Sequence, residues 1–179
     1  VLRIKIPAFE SFDEAKNEFV YSMEASIQLE HSLVSLSKWE SKWQKPFLTR
    51  DEKTTEESID YIRCMTVTQN VNPIVYSGIT SENIREVTEY IESPMTATKF
   101  KKESKTFNKE VITAEIIYYW MITLNIPFEC QKWHLNRLLT LINVCNIKNQ
   151  PQKKMGQHEL MHRNASLNAA RRQALNTRG

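Results

Sequence analysis

Two short spacings in this chain have the form of metal sites. His158, Glu159 and His162 stand as HELMH, the order in which a zinc-peptidase helix sets two imidazoles one turn apart with a glutamate as general base for a zinc-bound water. Cys130 and His134 are also four residues apart, with Cys64 and Cys145 elsewhere in the chain. A catalytic zinc needs a third protein ligand, and after His162 no His, Cys, Asp or Glu follows. The longer peptidase pattern, with its glycine and third histidine, is not continued. No C-x-x-C knuckle accompanies Cys130. HELMH therefore reads as one face of a solvated helix and the cysteines as packing residues. His31, beside Ser32 where strand gives way to helix, reads as a capping or core histidine. No catalytic residue, metal ligand or cofactor site is assigned.

What remains points to binding. Trp39 and Trp43 lie one helical turn apart and continue the stripe of Leu33 and Leu36. Aromatic residues at that spacing usually fill a core, but Lys45 and Pro46 follow at once, which leaves Trp39, Trp43 and the nearby Tyr61 as candidates for a protein-binding edge. Arg163, Arg171 and Arg172, with Lys153 and Lys154, make a positive stripe near the C-terminus. No aromatic residue lies among them to stack on bases. Nucleic acid is therefore not expected as a partner, and a protein-docking helix is, its small Ala169, Ala170 and Ala174 permitting close approach.

Charge is distributed unevenly. Residues 1–98 carry 10 basic and 16 acidic groups, whereas residues 148–179 carry 7 and 1. An acidic body with a basic tail suits a segment that meets an acidic partner. Only three glycines occur in 179 residues, too few for a turn-rich barrel or a phosphate-cradling loop. The three cysteines are odd in number, widely spaced and set among apolar residues, which favours reduced thiols in a cytosolic compartment. No export signal is read at the N-terminus. The most apolar run, from Val111 to Ile126, is 16 residues with Glu115 inside it, short of the roughly 20 that a bilayer span requires, and no membrane association is expected.

These patterns predict a mainly α fold: a compact helical domain with a small N-terminal β element and a basic C-terminal helix or tail. Leu2–Pro7, Glu18–Ser22 and Ala25–Glu30 alternate as strands do, although Phe12–Met23 also admits a helix. Helices are expected from Ser32 to Pro46, from Thr54 or Thr55 through Val67, from Thr80 or Ser81 to just before Pro94, over Glu110–Ile126, and over Cys130–Ile147, with capping residues at their starts. Lys99–Lys109 reads as a loop. Three regions result: the β element over residues 1–31, the helical core domain over 32–148, and a basic linker with a C-terminal helix over 149–179.

Four blocks carry a family likeness: LEHSLVSLSKWESKWQKPFL (Leu29–Leu48), TTEESIDYIRCMT (Thr54–Thr66), IIYYWMITLNIPFECQKWHLNRLLTLINVCNIKN (Ile116–Asn149) and RNASLNAARRQALNTRG (Arg163–Gly179). Over most of its length the chain resembles small tailed-phage proteins of the tail assembly chaperone family. The resemblance implies a non-enzymatic helper that binds the hydrophobic tape measure protein in the host cytoplasm, keeps it soluble while tail-tube protein polymerises around it, and leaves before the virion matures. A homo-oligomer is left open. The alternative is a permanent virion component, a head-to-tail connector or completion protein, whose basic tail orders on assembly.

Overall fold

The computed structural model describes residues 1–13, 17–49, 51–100, 111–149 and 157–176. The fold is mainly α, with a small β element at its N-terminus. Strands β1 (Leu2–Ile6), β2 (Phe9–Asp13), β3 (Glu18–Ser22) and β4 (Ala25–Leu29) precede helices α1 (Leu33–Trp43), α2 (Thr55–Met65), α3 (Ser81–Glu92), α4 (Ala114–Thr123), α5 (Leu135–Asn149) and α6 (Gln157–Leu175). Short 3-10 turns occupy Pro73–Gly78 and Phe128–Lys132. Two compact units result, Val1–Ile147 and Lys148–Gly179. The β element is part of the first unit: Ile4, Ile6, Ile27 and Leu29 share one apolar cluster with Trp39, Tyr61, Met65 and Val87.

The four strands form one long antiparallel hairpin in two halves. Leu2 pairs with Leu29 and Ile6 with Ala25, and the same register runs on to Phe9 opposite Ser22 and Phe12 opposite Phe19. Pro7, which has no N–H to give a ladder, lies at the interruption. β2 was not expected from sequence, and the ladder replaces the helix that Phe12–Met23 also allowed. On the inner half, Ile4, Ile6, Ile27 and Leu29 face the core at 1% exposure or less. On the outer half Phe9 rests on the turn ending at Gly78, where a Cβ would press into the Phe9 ring and force that half-buried side chain to move.

Helix starts follow the capping residues closely. Ser32, Thr54 and Thr80 each accept a hydrogen bond from the backbone N–H three residues on, and the side-chain oxygens of Ser35, Glu57 and Asn83 accept one in turn from the cap's own N–H. These reciprocal pairs satisfy amides that the helix cannot. Asn83 also donates to the Lys5 carbonyl, tying α3 to β1 (3.1 Å).

The cap of α4 is different. Thr113 makes no side-chain cap bond, and Glu40 on α1 substitutes for it: one carboxylate oxygen accepts from Ala114 N at 2.7 Å and the other from Phe47 N at 2.8 Å. A buried carboxylate at a helix N-terminus answers both the free amide and the positive end of the dipole. Glu40 thus joins α1, the segment after it and α4. The second apolar cluster, Leu33, Leu36, Ile117, Met121, Leu135 and Leu138, lies along this α1–α4–α5 junction.

Two helices are shorter than their apolar runs suggest. α4 ends at Thr123 because Asn125 adopts a left-handed φ of 51°. The segment expected as helix from Cys130 first makes the 3-10 turn, and α5 begins only at Leu135, after His134 has bridged to Ser32 as an isolated strand pair. The expected loop over Lys99–Lys109 lies, from residue 101 onward, outside the described residues, as do linker residues 150–156. In the second unit, α6 carries exposed Met161, Leu167 and Leu175.

Candidate functional site

The aromatic candidates on α1 and α2 meet in one cluster. Phe47 stacks on Tyr61 with ring centroids 3.8 Å apart, and Trp39 meets Phe47 edge-on at 5.0 Å. Trp39 and Tyr61 are buried, at 1% and 2% exposure, and Trp43 alone of the three is partly exposed. Both indole N–H groups have internal acceptors: Trp39 donates to the Glu57 carbonyl and Trp43 to the Asp60 carboxylate, each at 2.9 Å. Trp39 and Tyr61 thus line the core, and of the three only Trp43 presents appreciable surface to solvent.

The neighbouring carboxylates are equally occupied. Glu57 accepts from Lys45 at 2.6 Å and from Thr54 N at 2.8 Å. The Lys45 bond first, then the backbone bond, hold its carboxyl below the usual range. At Asp60 burial alone would raise the pKa, but hydrogen bonds from Lys42 and Trp43 and the charges of Lys42 and Arg63 outweigh it, and the carboxyl lies below its ordinary value. Held ionised by cations, neither is a general acid.

A histidine pair lies beneath. His31 and His134 have ring centroids 5.1 Å apart. His31 Nδ1 shares a 2.6 Å hydrogen bond with the Tyr61 hydroxyl. Asn136 N–H donates to His134 Nδ1 at 3.3 Å, so Nε2 carries the proton and donates to the Tyr90 carbonyl at 3.0 Å. Burial, then the other imidazole, push His31 down to about 3, and burial lowers His134 as well. Burial also drives the Tyr61 hydroxyl upward. The pair is buried and neutral at ordinary pH, and its hydrogen bonds reach α2, α3 and α5.

An open apolar cleft lies between α2 and α3. Phe47, Tyr61, Ile84, Val87, Thr88 and Ile91 line about 170 Å³ of it, the space of one or two aliphatic side chains rather than a cofactor. Tyr61 forms its floor, with its hydroxyl turned away to His31. Lys53 and Ser58 also line it: the Ser58 and Thr88 hydroxyls donate to the Thr54 and Ile84 carbonyls of their own helices, and the Lys53 ammonium lies 4.6 Å from the Phe47 ring centroid. The residues that sequence reading missed here are Ile84 and Ile91, which repeat at helical spacing on α3 and carry the signal of an ordinary buried stripe, and Phe47, which follows Pro46.

The basic candidates fall elsewhere. Arg163, Arg171 and Arg172 lie exposed on α6, in the second unit, apart in sequence from the aromatic cluster. HELMH opens the same helix; the side chains of His158 and Glu159 are outside the described residues. Among the described residues no three His, Cys, Asp or Glu side chains cluster as a metal site. Cys64, Cys130 and Cys145 are free thiols, and burial raises the first two. No described helix is long and apolar enough to cross a membrane.

Compared with models of known families, with curated proteins and with solved structures, the chain has no match in any of the three.

Proposed function

We propose that this chain is a non-enzymatic binding protein that takes up apolar side chains of a client, and that it serves as a phage tail assembly chaperone for the tape measure protein. One observation carries the binding reading. The α2–α3 cleft is open and mostly apolar, its walls set by Phe47, Tyr61, Ile62, Ile84, Val87 and Ile91, with Lys53 as its one charged lining residue. Such a cleft contributes affinity through burial, about 25 cal/mol per Å² of apolar surface. The sequence blocks Leu29–Leu48, Ile116–Asn149 and Arg163–Gly179 support the chaperone assignment by their resemblance to that family.

A second reading is a structural virion component. The separate, basic second unit favours it, since such a segment suits ordering on an assembled acidic surface.

Co-expression with the phage's tape measure protein tests the proposal. The full chain is expected to raise the soluble client and to co-purify with it. Ile84→Glu, which sets a charge in the half-exposed cleft wall, is expected to reduce recovery at least tenfold while the variant's own melting temperature holds. Truncation after Asn149 reports whether the basic unit takes part. Unchanged client solubility with the wild-type chain, and the protein found instead in purified particles, overturns the chaperone reading in favour of the virion component.

A further inference from the structure

The outer half of the hairpin is apolar in the wrong place for a protein that ends there. Because the register is continuous, Phe12, Phe19, Tyr21 and Met23 continue the side-chain parity that on the inner half buries Ile4, Ile6, Ile27 and Leu29. Inside, that face is sealed; outside, the same face is 46%, 59%, 68% and 88% exposed at the four residues. Phe12 and Phe19 touch edge-to-face, with centroids 5.1 Å apart, so the surface is already assembled. A two-stranded ribbon with an uncovered aromatic face is marginal by itself and marks an interaction site.

The rim states the partner's charge. Glu10 stands on this face opposite Tyr21, Glu18 and Glu24 are exposed close by in sequence, and between residues 9 and 24 the sequence holds five acids against the single base Lys16. Nucleic acid and anionic membrane are repelled by such a rim. Two hairpins packed face to face would oppose their own carboxylates. The fitting partner is basic, helical or extended, and studded with a few apolar residues.

This chain contains such a segment. On α6, Leu167, Arg171 and Leu175 stand at i, i+4 and i+8 on one side of the helix, with Arg172 beside them and the small Ala170 and Ala174 at the flank to let aromatic rings approach. Leu167 and Leu175 are 46% and 72% exposed. Cation flanked by leucines faces carboxylate flanked by aromatics. We infer that the chain associates head to tail: the aromatic face of one copy's hairpin takes the basic helix α6 of a second copy. Such a contact is heterologous, so each copy keeps one donor and one acceptor surface, and association continues into chains or closes into rings.

The test uses the full-length protein alone and needs no client, so its outcome is independent of the chaperone reading. Sedimentation velocity of the wild type is expected to show assemblies that grow with concentration and shrink at high salt. Phe19→Ser with Tyr21→Ser removes the acceptor surface, and Arg171→Glu with Arg172→Glu removes the donor; each double variant is expected to sediment as a monomer. Mixed together, the two are expected to form a one-to-one dimer that grows no further, because the only intact pair is the hairpin of the arginine variant with the helix of the aromatic variant. A wild type that stays monomeric at every concentration overturns the inference, as does self-association that survives in both variants or a mixture that does not pair.

Discussion

The α1–α2 face and the outer hairpin are both rich in aromatic and charged residues, yet they stand in opposite relation to solvent. On α1, α2 and the residues that flank them the buried groups have internal partners: Trp39 with Glu57, Trp43 with Asp60, Lys45 with Glu57, His31 with Tyr61. Among the described residues no buried side-chain nitrogen or oxygen lacks a hydrogen bond. On the hairpin, Phe12 and Phe19 touch edge-to-face, and with Tyr21 they lie largely exposed. Richness in aromatic and charged residue types is therefore no guide to what is left uncovered: a satisfied polar network is fixed in place, whereas an uncovered apolar face gains free energy only when something covers it.

The comparison is sharpened first by cutting into the satisfied region. Glu40→Ala removes the acceptor of two amides, Ala114 N and Phe47 N, and leaves the α4 cap empty. At about 1–3 kcal/mol for each buried donor left unpaired, a loss of about 4 kcal/mol is expected in urea unfolding, with Glu40→Gln costing less because it keeps one acceptor oxygen.

A smaller effect comes from acid. His31 binds its proton at about 3 in the folded chain against 6.5 unperturbed. Between those values the unfolded chain holds more protons, so stability is full above about 6.5 and falls as pH drops toward 3. His134, lowered in the same direction, adds to the fall. His31 alone costs about 1.4 kcal/mol per pH unit inside its window. Melting temperature is expected to decline from pH 6.5 to 4.5, above the range where Glu57 and Asp60 titrate, and to decline less steeply in His31→Gln. An unchanged slope in that variant would remove the histidine pair from the account.

The smallest effect is expected on the hairpin. Phe19→Ser with Tyr21→Ser alters side chains already more than half in water, and unfolding free energy is expected to stay within about 0.5 kcal/mol of wild type. A loss several times larger would mean that the outer hairpin is part of the core and would dissolve the contrast.

Much of the fold was legible because its signals are local. Ser32, Thr54 and Thr80 announce helix starts through hydrogen bonds that span three residues, and the alternation of Ile4, Ile6, Ile27 and Leu29 announces a strand with one buried face. The less legible parts depend on contacts distant in sequence. Glu40 caps a helix 74 residues away, and its place in the apolar stripe of α1 makes sense only once α4 is beside it. β2 was missed because FESFD has two apolar residues in five and its pairing is set by β3. Trp39 and Tyr61 illustrate the limit at the site itself: helical spacing shows that they share a buried or binding face, and only the tertiary contacts with Phe47 and His31 decide that they are inside. The α2–α3 cleft arises between two helices whose stripes each look like plain core.

The central claim is that a client enters the open cleft and leaves the closed network untouched. The most direct measurement is an isoleucine-methyl NMR spectrum of the full chain, recorded free and bound to a soluble tape measure fragment. Ile84 and Ile91, half-exposed in the cleft walls, are expected to shift or broaden while Ile4 and Ile27, sealed under the inner hairpin, keep their positions. Shifts at Ile4 and Ile27 with Ile84 and Ile91 unmoved would contradict the account.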